Sequence, residues 1–105
     1  QVADLILVPA AFLVPTGQAH WHVLLRARAI ECQAFVAAPA QGGEHVSKTG
    51  AKRVTYGHSL VVDPWGRVLV DMENVGVQVL ELDRGLITKA RQQIPVGSHR
   101  RLKST

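Results

Sequence analysis

Residues 4 to 10, "DLILVPA", place six apolar side chains in a row from Leu5 to Ala10. An unbroken apolar run of this length reads as a strand buried on both faces, the type found in parallel sheets. Pro15 and Gly17 in "FLVPTG" are turn signals, with Thr16 placed to cap a following helix. From Gln18 to about Gln33 the pattern is helical, with Trp21, Leu24, Leu25, Arg28 and Cys32 at spacings of three and four. Val23, Ala27 and Ile30 fill the opposite side, which predicts a helix covered by more than one layer. "AFVAAPA", residues 34 to 40, is a second strand. Strand, helix and strand in so short a stretch predict a βαβ unit with a right-handed crossover. The fold class expected is therefore α/β.

The remainder fills in around that unit. "QGGEHVSKTGAKRVT", residues 41 to 55, reads as one long loop rich in Gly and charge. "YGHSLVVDPWGRVLV", 56 to 70, reads as a hairpin in which Leu60–Val62 and Val68–Val70 flank a tight turn at Asp63–Gly66. "VGVQVLELD", 75 to 83, alternates enough to predict one more strand. Asp83 then caps a last helix at Arg84–Gln93, which Pro95 ends. The 105 residues make one domain, 1–105, with residues 96–105 as a flexible tail. No apolar run approaches the roughly 18 residues that span a bilayer, so no membrane role is expected. The apolar start lacks a basic leader and reads as a strand rather than a signal peptide. A cytoplasmic location is the expectation.

Isolated residues offer little chemistry. Cys32, the single cysteine, lies near the end of an apolar helix, which predicts a buried, inert thiol with a raised pKa. His20 and His22 are two apart and point to different sides of a helix. His45, His58 and His99 fall in a loop, a strand and a tail without paired spacing, so no metal site is predicted. His58 and Ser59, adjacent on a strand, face opposite ways and do not form a catalytic pair. "QGG", 41 to 43, lacks the lysine and helix start of a phosphate loop. In "LLRARAIE", Arg28 stands three residues before Glu31, which fits either an exposed ion pair or a buried network with Arg26. Six Lys/Arg lie from Arg84 onward. Without interleaved aromatics they read as a solvated or ion-paired tail, and nucleic acid is not the expected partner.

Taken in order, "LILVPAAF", "TGQAHWHVLLRARAIE", "FVAAPAQGG", "YGHSLVVDPWGRVL" and "IPVGSHRR" resemble the C-terminal half of a nitrilase-superfamily carbon–nitrogen hydrolase. The resemblance is strongest to the amidase branch acting on deaminated glutathione and related omega-amides. It implies half of a four-layer α-β-β-α sandwich: the βαβ unit, then the hairpin, a strand and a C-terminal helix. On this reading Gly57 permits close backbone approach, and the Gly-His-Ser hairpin marks the fold rather than an active site.

The resemblance also implies a mechanism that needs a glutamate base, an oxyanion-stabilising lysine and a cysteine nucleophile. In the family all three precede the strand matching "DLILVPA". Cys32, Glu31, Glu44 and Lys48 do not match their positions, so no catalytic residue is assigned and the chain alone is expected to be inactive. The residues carried over are Ala10, Ala11, Phe12, Thr16 and Gln41, as part of a substrate-pocket wall. No cofactor or metal is implied. The expected partners are a second copy of the chain, as a dimer, or a missing N-terminal half. A small-molecule amide follows only if that half is present. The alternative is a stand-alone structural or binding module that self-associates or complements a partner chain.

Overall fold

The computed structural model describes residues 3–96. Four strands form one mixed sheet in the order β1 (Leu5–Leu7), β2 (Phe35–Ala38), β5 (Ser59–Val62), β6 (Val68–Met72). β1 runs parallel to β2, as the βαβ reading requires, while β5 and β6 pair antiparallel. Between β1 and β2 the chain forms α1 (Val14–Thr16), a π-helical turn (Gly17–Trp21) and α2 (His22–Cys32). A last helix, α3 (Gly85–Gln93), closes the described chain.

The core lies between α2 and one face of the sheet. Trp21, Leu25 and Ala29, spaced by four, meet Val36 and Ala38 of β2 and Leu60 and Val62 of β5. Alternation puts these strand residues on a single face. Each buried Leu or Val there contributes about 1.5–3 kcal/mol over an exposed one. The hairpin turn rests on the same helix. Asp63 Oδ1 accepts hydrogen bonds from the amides of Trp65 and Arg67, both at 2.9 Å, and Arg26 Nε donates to the Gly66 carbonyl at 2.7 Å. Arg28 and Glu31 form the exposed ion pair of the two arrangements open to them, which contributes little.

Several expectations are corrected. The helix begins at Val14, not Gln18, because Pro15 is tolerated in a first turn that needs no amide donor from it. Thr16 is therefore inside the helix, and its hydroxyl bonds the Leu13 carbonyl at 3.1 Å instead of capping. β1 is not buried on both faces. Ile6 and Val8 pack on the core, but Leu7 on the other face is 67% exposed. α2 likewise has one cover, since Val23, Leu24 and Ile30 are exposed. Cys32 is half-buried rather than buried.

Residues 41 to 55 are no loop. They make a two-stranded sheet of β3 (Gly42–Val46) and β4 (Lys52–Tyr56), with His45 in β3 bonded to the buried Thr55 at 2.8 Å. Gly43 and Gly50, both at positive φ, let the ribbon bend and turn, so glycine marks its geometry rather than looseness. Residues 75 to 83 form no strand, and Val75, Val77 and Val79 stand almost wholly exposed. Alternating valines fit a strand only when a neighbour supplies the ladder and a core supplies the face. The N-cap position is Arg84 rather than Asp83, which stands one residue earlier with its Oδ1 accepting from the Gly85 amide at 2.8 Å. Of the tail expected at 96–105, residues 97–105, including His99, lie outside the described residues.

Gly17 is fixed by space. A β-carbon there would lie 2.3 Å from Cβ of Tyr56, so the helix can touch β4 only with hydrogen at this position. Gly17→Ala is expected to lower the unfolding free energy by about 1–3 kcal/mol, read from the urea midpoint at unchanged slope.

Candidate functional site

The parallel strands β1 and β2 end on the same side, and the chain beyond each is stitched to the other. The Ala10 amide donates to the Pro39 carbonyl at 3.0 Å, and the Gln41 amide donates to the Ala10 carbonyl at 3.1 Å. Ends of neighbouring parallel strands are a common place for a ligand crevice. Four of the five residues named as a pocket wall gather here. Ala10 bridges Ala40, Ala11 offers its carbonyl to Arg53 at 3.3 Å, and Phe12 packs against Trp21 with the rings tilted at 56° and their centroids 5.0 Å apart. Gln41 is exposed, and its carbonyl accepts from Gly57 at 3.1 Å. Thr16 lies in the helix beyond them, exposed, with its hydroxyl bonded to Leu13.

Gly57 makes this edge close. A β-carbon on it would sit 3.1 Å from the Gly42 Cα, so the two chain segments approach through paired glycines. Its φ of 74° also lies in the left-handed region that glycine tolerates. His58 follows with φ 59°, a conformation that is costly for a residue with a side chain. The pair His58–Ser59 is separated as expected. Ser59 Oγ turns to the Ala40 amide at 2.9 Å, while the His58 imidazole faces β6. His58 precedes β5 rather than lying within a strand.

A second group assembles where no sequence spacing announced one. His22, at the start of α2, sets Nε2 2.8 Å from Oδ2 of Asp71 on β6. His58 sets Nδ1 2.7 Å from Oδ1 of the same carboxylate. An ionised carboxylate only accepts, so both imidazoles donate N–H to Asp71. Tyr56 stacks on the His58 ring at 4.2 Å and 17° and fixes its plane. Trp21 Nε1–H holds the His58 carbonyl at 2.7 Å. Burial pushes the Asp71 carboxyl pKa up. The hydrogen bonds from His22 and His58, with the charge of those imidazoles, outweigh burial and hold it below the ordinary carboxylate value. The hairpin register carried part of this signal, since pairing about Asp63–Gly66 sets Asp71 opposite Leu60 and near His58. His22 arrives through the helix and was not legible.

The described residues bring no Glu, Lys and Cys together as a catalytic set. Glu31 pairs with Arg28, Glu44 pairs with Lys52 across the β3–β4 ribbon, and Cys32 stands at the far end of α2 from its start at His22. No helix of the described residues is long and apolar enough to cross a membrane.

Residues 1–92 match the family model of carbon-nitrogen hydrolases. The deaminated glutathione amidase of Dictyostelium discoideum is 46% identical over 97% of this chain and 34% of its own length. The Homo sapiens deaminated glutathione amidase is 47% identical over 94% of this chain and 29% of its own. The fold superposes on the Caenorhabditis elegans NitFhit crystal structure with a TM-score of 0.83, covering 94% of this chain and 23% of that one at 49% identity. It superposes on Saccharomyces cerevisiae Nit3, of branch 10 of the nitrilase superfamily, with a TM-score of 0.80 at 34% identity, covering 95% and 36% of the two chains. The chain thus spans about a third of the length of the curated relatives it matches.

Because the folded-state pKa of Asp71 is lowered, its contribution to stability is fully present above the unfolded-state value of 3.8 and is lost as pH falls through the folded one. Wild type is therefore expected to be more stable than Asp71→Asn at pH 5, with the gap between their urea midpoints narrowing on titration to pH 3. A gap constant over that range contradicts the charge-assisted network.

Proposed function

The chain belongs to the carbon–nitrogen hydrolase family, and from that premise we propose that it is the C-terminal segment of an amidase acting on deaminated glutathione or a related omega-amide. Two relatives carrying that amidase name match it along nearly its whole length, at 46% and 47% identity. That match is the observation that carries the reading.

In this function the segment contributes shape rather than chemistry. Ala10, Ala11, Phe12 and Gln41 line part of the substrate pocket at the strand ends, with Thr16 beyond them. The chemistry of the class needs a thiolate to attack the amide carbon and a base to move protons. It also needs a donor to stabilise the oxyanion. The described residues offer no such set, so those groups come from protein outside this stretch. By itself the chain has no amidase activity.

The open face of the sheet supports the same division of labour. Leu7, Ala37, Val61, Val70 and Met72 line an apolar groove of about 300 Å³ on the side away from α2. A second sheet laid on that face completes a β-β interface of the sandwich, since stacked sheets pack about 10 Å apart with their side chains interleaved. The same face also supports the second reading, a non-catalytic module in which another copy of the chain, as a dimer, supplies the cover.

Two measurements separate these readings. Mixing or co-expressing the chain with a relative's remaining N-terminal region is expected to restore ammonia release from a deaminated glutathione substrate, where neither piece alone gives any. Failure of every such pairing removes the amidase reading. Light scattering after size exclusion at micromolar concentration is expected to give a dimer that dissociates in favour of the complementing region. A dimer that persists against that region supports the self-contained module instead.

A further inference from the structure

The amidase reading leaves one group of side chains without a task. His22, His58 and Asp71 come from the start of α2, the turn before β5 and the middle of β6. Each offers one ligand atom, and the three atoms lie within 4.8 Å of one another. The side chains are 33%, 20% and 33% exposed, so the cluster is walled by protein yet open to solvent on one side. We propose that His22, His58 and Asp71 bind a divalent first-row transition metal, with His22 Nε2, His58 Nδ1 and one Asp71 oxygen as ligands and water completing the shell.

The donor set fits this class of cation. Two imidazoles and a carboxylate suit Zn(II) and its neighbours, whereas Ca(II) and Mg(II) take oxygen ligands. Three protein ligands with an exposed side match an open site, not a closed structural one. Two imidazole N–H groups already converge on one carboxylate from opposite oxygens. A cation takes over the place of those two protons, and each neutral imidazole then carries its single proton on the other ring nitrogen, His22 Nδ1 and His58 Nε2. Tetrahedral coordination at 2.0–2.2 Å sets ligand atoms about 3.3 Å apart. The nitrogen now bonded to the liganding Asp71 oxygen, at 2.7 or 2.8 Å, must therefore move off by about half an ångström. The exposed Asp71 carboxylate and the part-exposed His22 take up that shift while His58 stays in place.

The surroundings hold the ligands in place. Tyr56 stacks on His58, and the Trp21 indole pins the His58 carbonyl, so that imidazole has little freedom to swing away. The His22 and His58 rings stand edge to face at 5.6 Å, which leaves their nitrogens free of mutual obstruction. A bound cation joins helix, turn and strand, and stabilises the chain by mass action because the unfolded chain does not hold this geometry.

The test uses the 105-residue chain stripped with chelator and titrated with Zn(II) by calorimetry, with thermal unfolding on the same samples. Saturation at one equivalent and a Tm that rises with Zn(II) are expected. His22→Gln, His58→Gln and Asp71→Asn are each expected to weaken binding at least about tenfold, while His20→Gln and His45→Gln leave it unchanged. Should a ligand variant fail to fold, imidazole nitrogen NMR of the wild-type chain decides. Zn(II) is expected to move the resonances of His22 Nε2 and His58 Nδ1, the protons shifting to His22 Nδ1 and His58 Nε2. Absence of saturable binding overturns the proposal. So does binding that the three ligand variants leave intact, or zinc that shifts only other histidines.

Discussion

Trp21 is 2% exposed, and its indole N–H reaches the His58 carbonyl at 2.7 Å while its ring packs on Phe12. One side chain thereby fixes the helix against the sheet, the strand-end crevice against the helix, and the left-handed turn before β5. It stands at the end of the π-helical turn, just where the helix passes into regular α geometry. An extra residue per turn shifts which side chains face inward, and such turns often occur beside functional positions. Here the buried Trp21 ends that turn and the half-buried His22 opens α2. The inner residue builds the core, and its neighbour reaches the Asp71 carboxylate.

The sheet that depends on this anchor is finished on one face only. Under α2 the packing is that of a complete protein, and no buried side-chain polar atom among the described residues lacks a partner. On the other face Leu5 and Leu7 are exposed, and the valines at 75, 77 and 79 have no ladder to join. On the amidase reading proposed above, this face is where a second layer of the sandwich would lie.

Legibility followed the same line. The βαβ unit was readable from apolar runs and helical spacing, because both patterns record burial against α2 and β2. The hairpin was readable from Asp63, Pro64 and Gly66, whose backbone preferences act locally. Misreadings occurred where apolar spacing did not record the pairing. Residues 42 to 56 are polar because they form a thin exposed ribbon, and such a ribbon leaves no apolar alternation to read. Residues 75 to 83 alternate as a strand does, yet find no neighbour. Ala10, Ala11, Phe12 and Gln41 were named only through the resemblance, and the fold brings them to neighbouring strand ends. The His22–His58–Asp71 group was not named, since its members are 36 and 13 residues apart along the chain and meet only through tertiary packing.

Asp4 accepts from Arg84 at 2.8 Å and lies 3.7 Å from Arg91, and Gln33 reaches the Ala90 and Ile94 carbonyls at 3.2 and 2.6 Å. The Asp4 contacts tie α3 to the start of β1 across some eighty residues, and the Gln33 contacts tie it to the end of α2 across 57 and 61. A joint of such long sequence separation forms only after the chain between has collapsed, since its loop-closure entropy must be met first. The edge strand and the last helix therefore behave as a late-forming clasp on an earlier-forming α2–β2–β5 nucleus. The Asp4–Arg84 pair lies at the surface and opens before that nucleus does, while Gln33, Ile87 and Ala90 are buried. Two segments at opposite ends of the described sequence thus share one local stability.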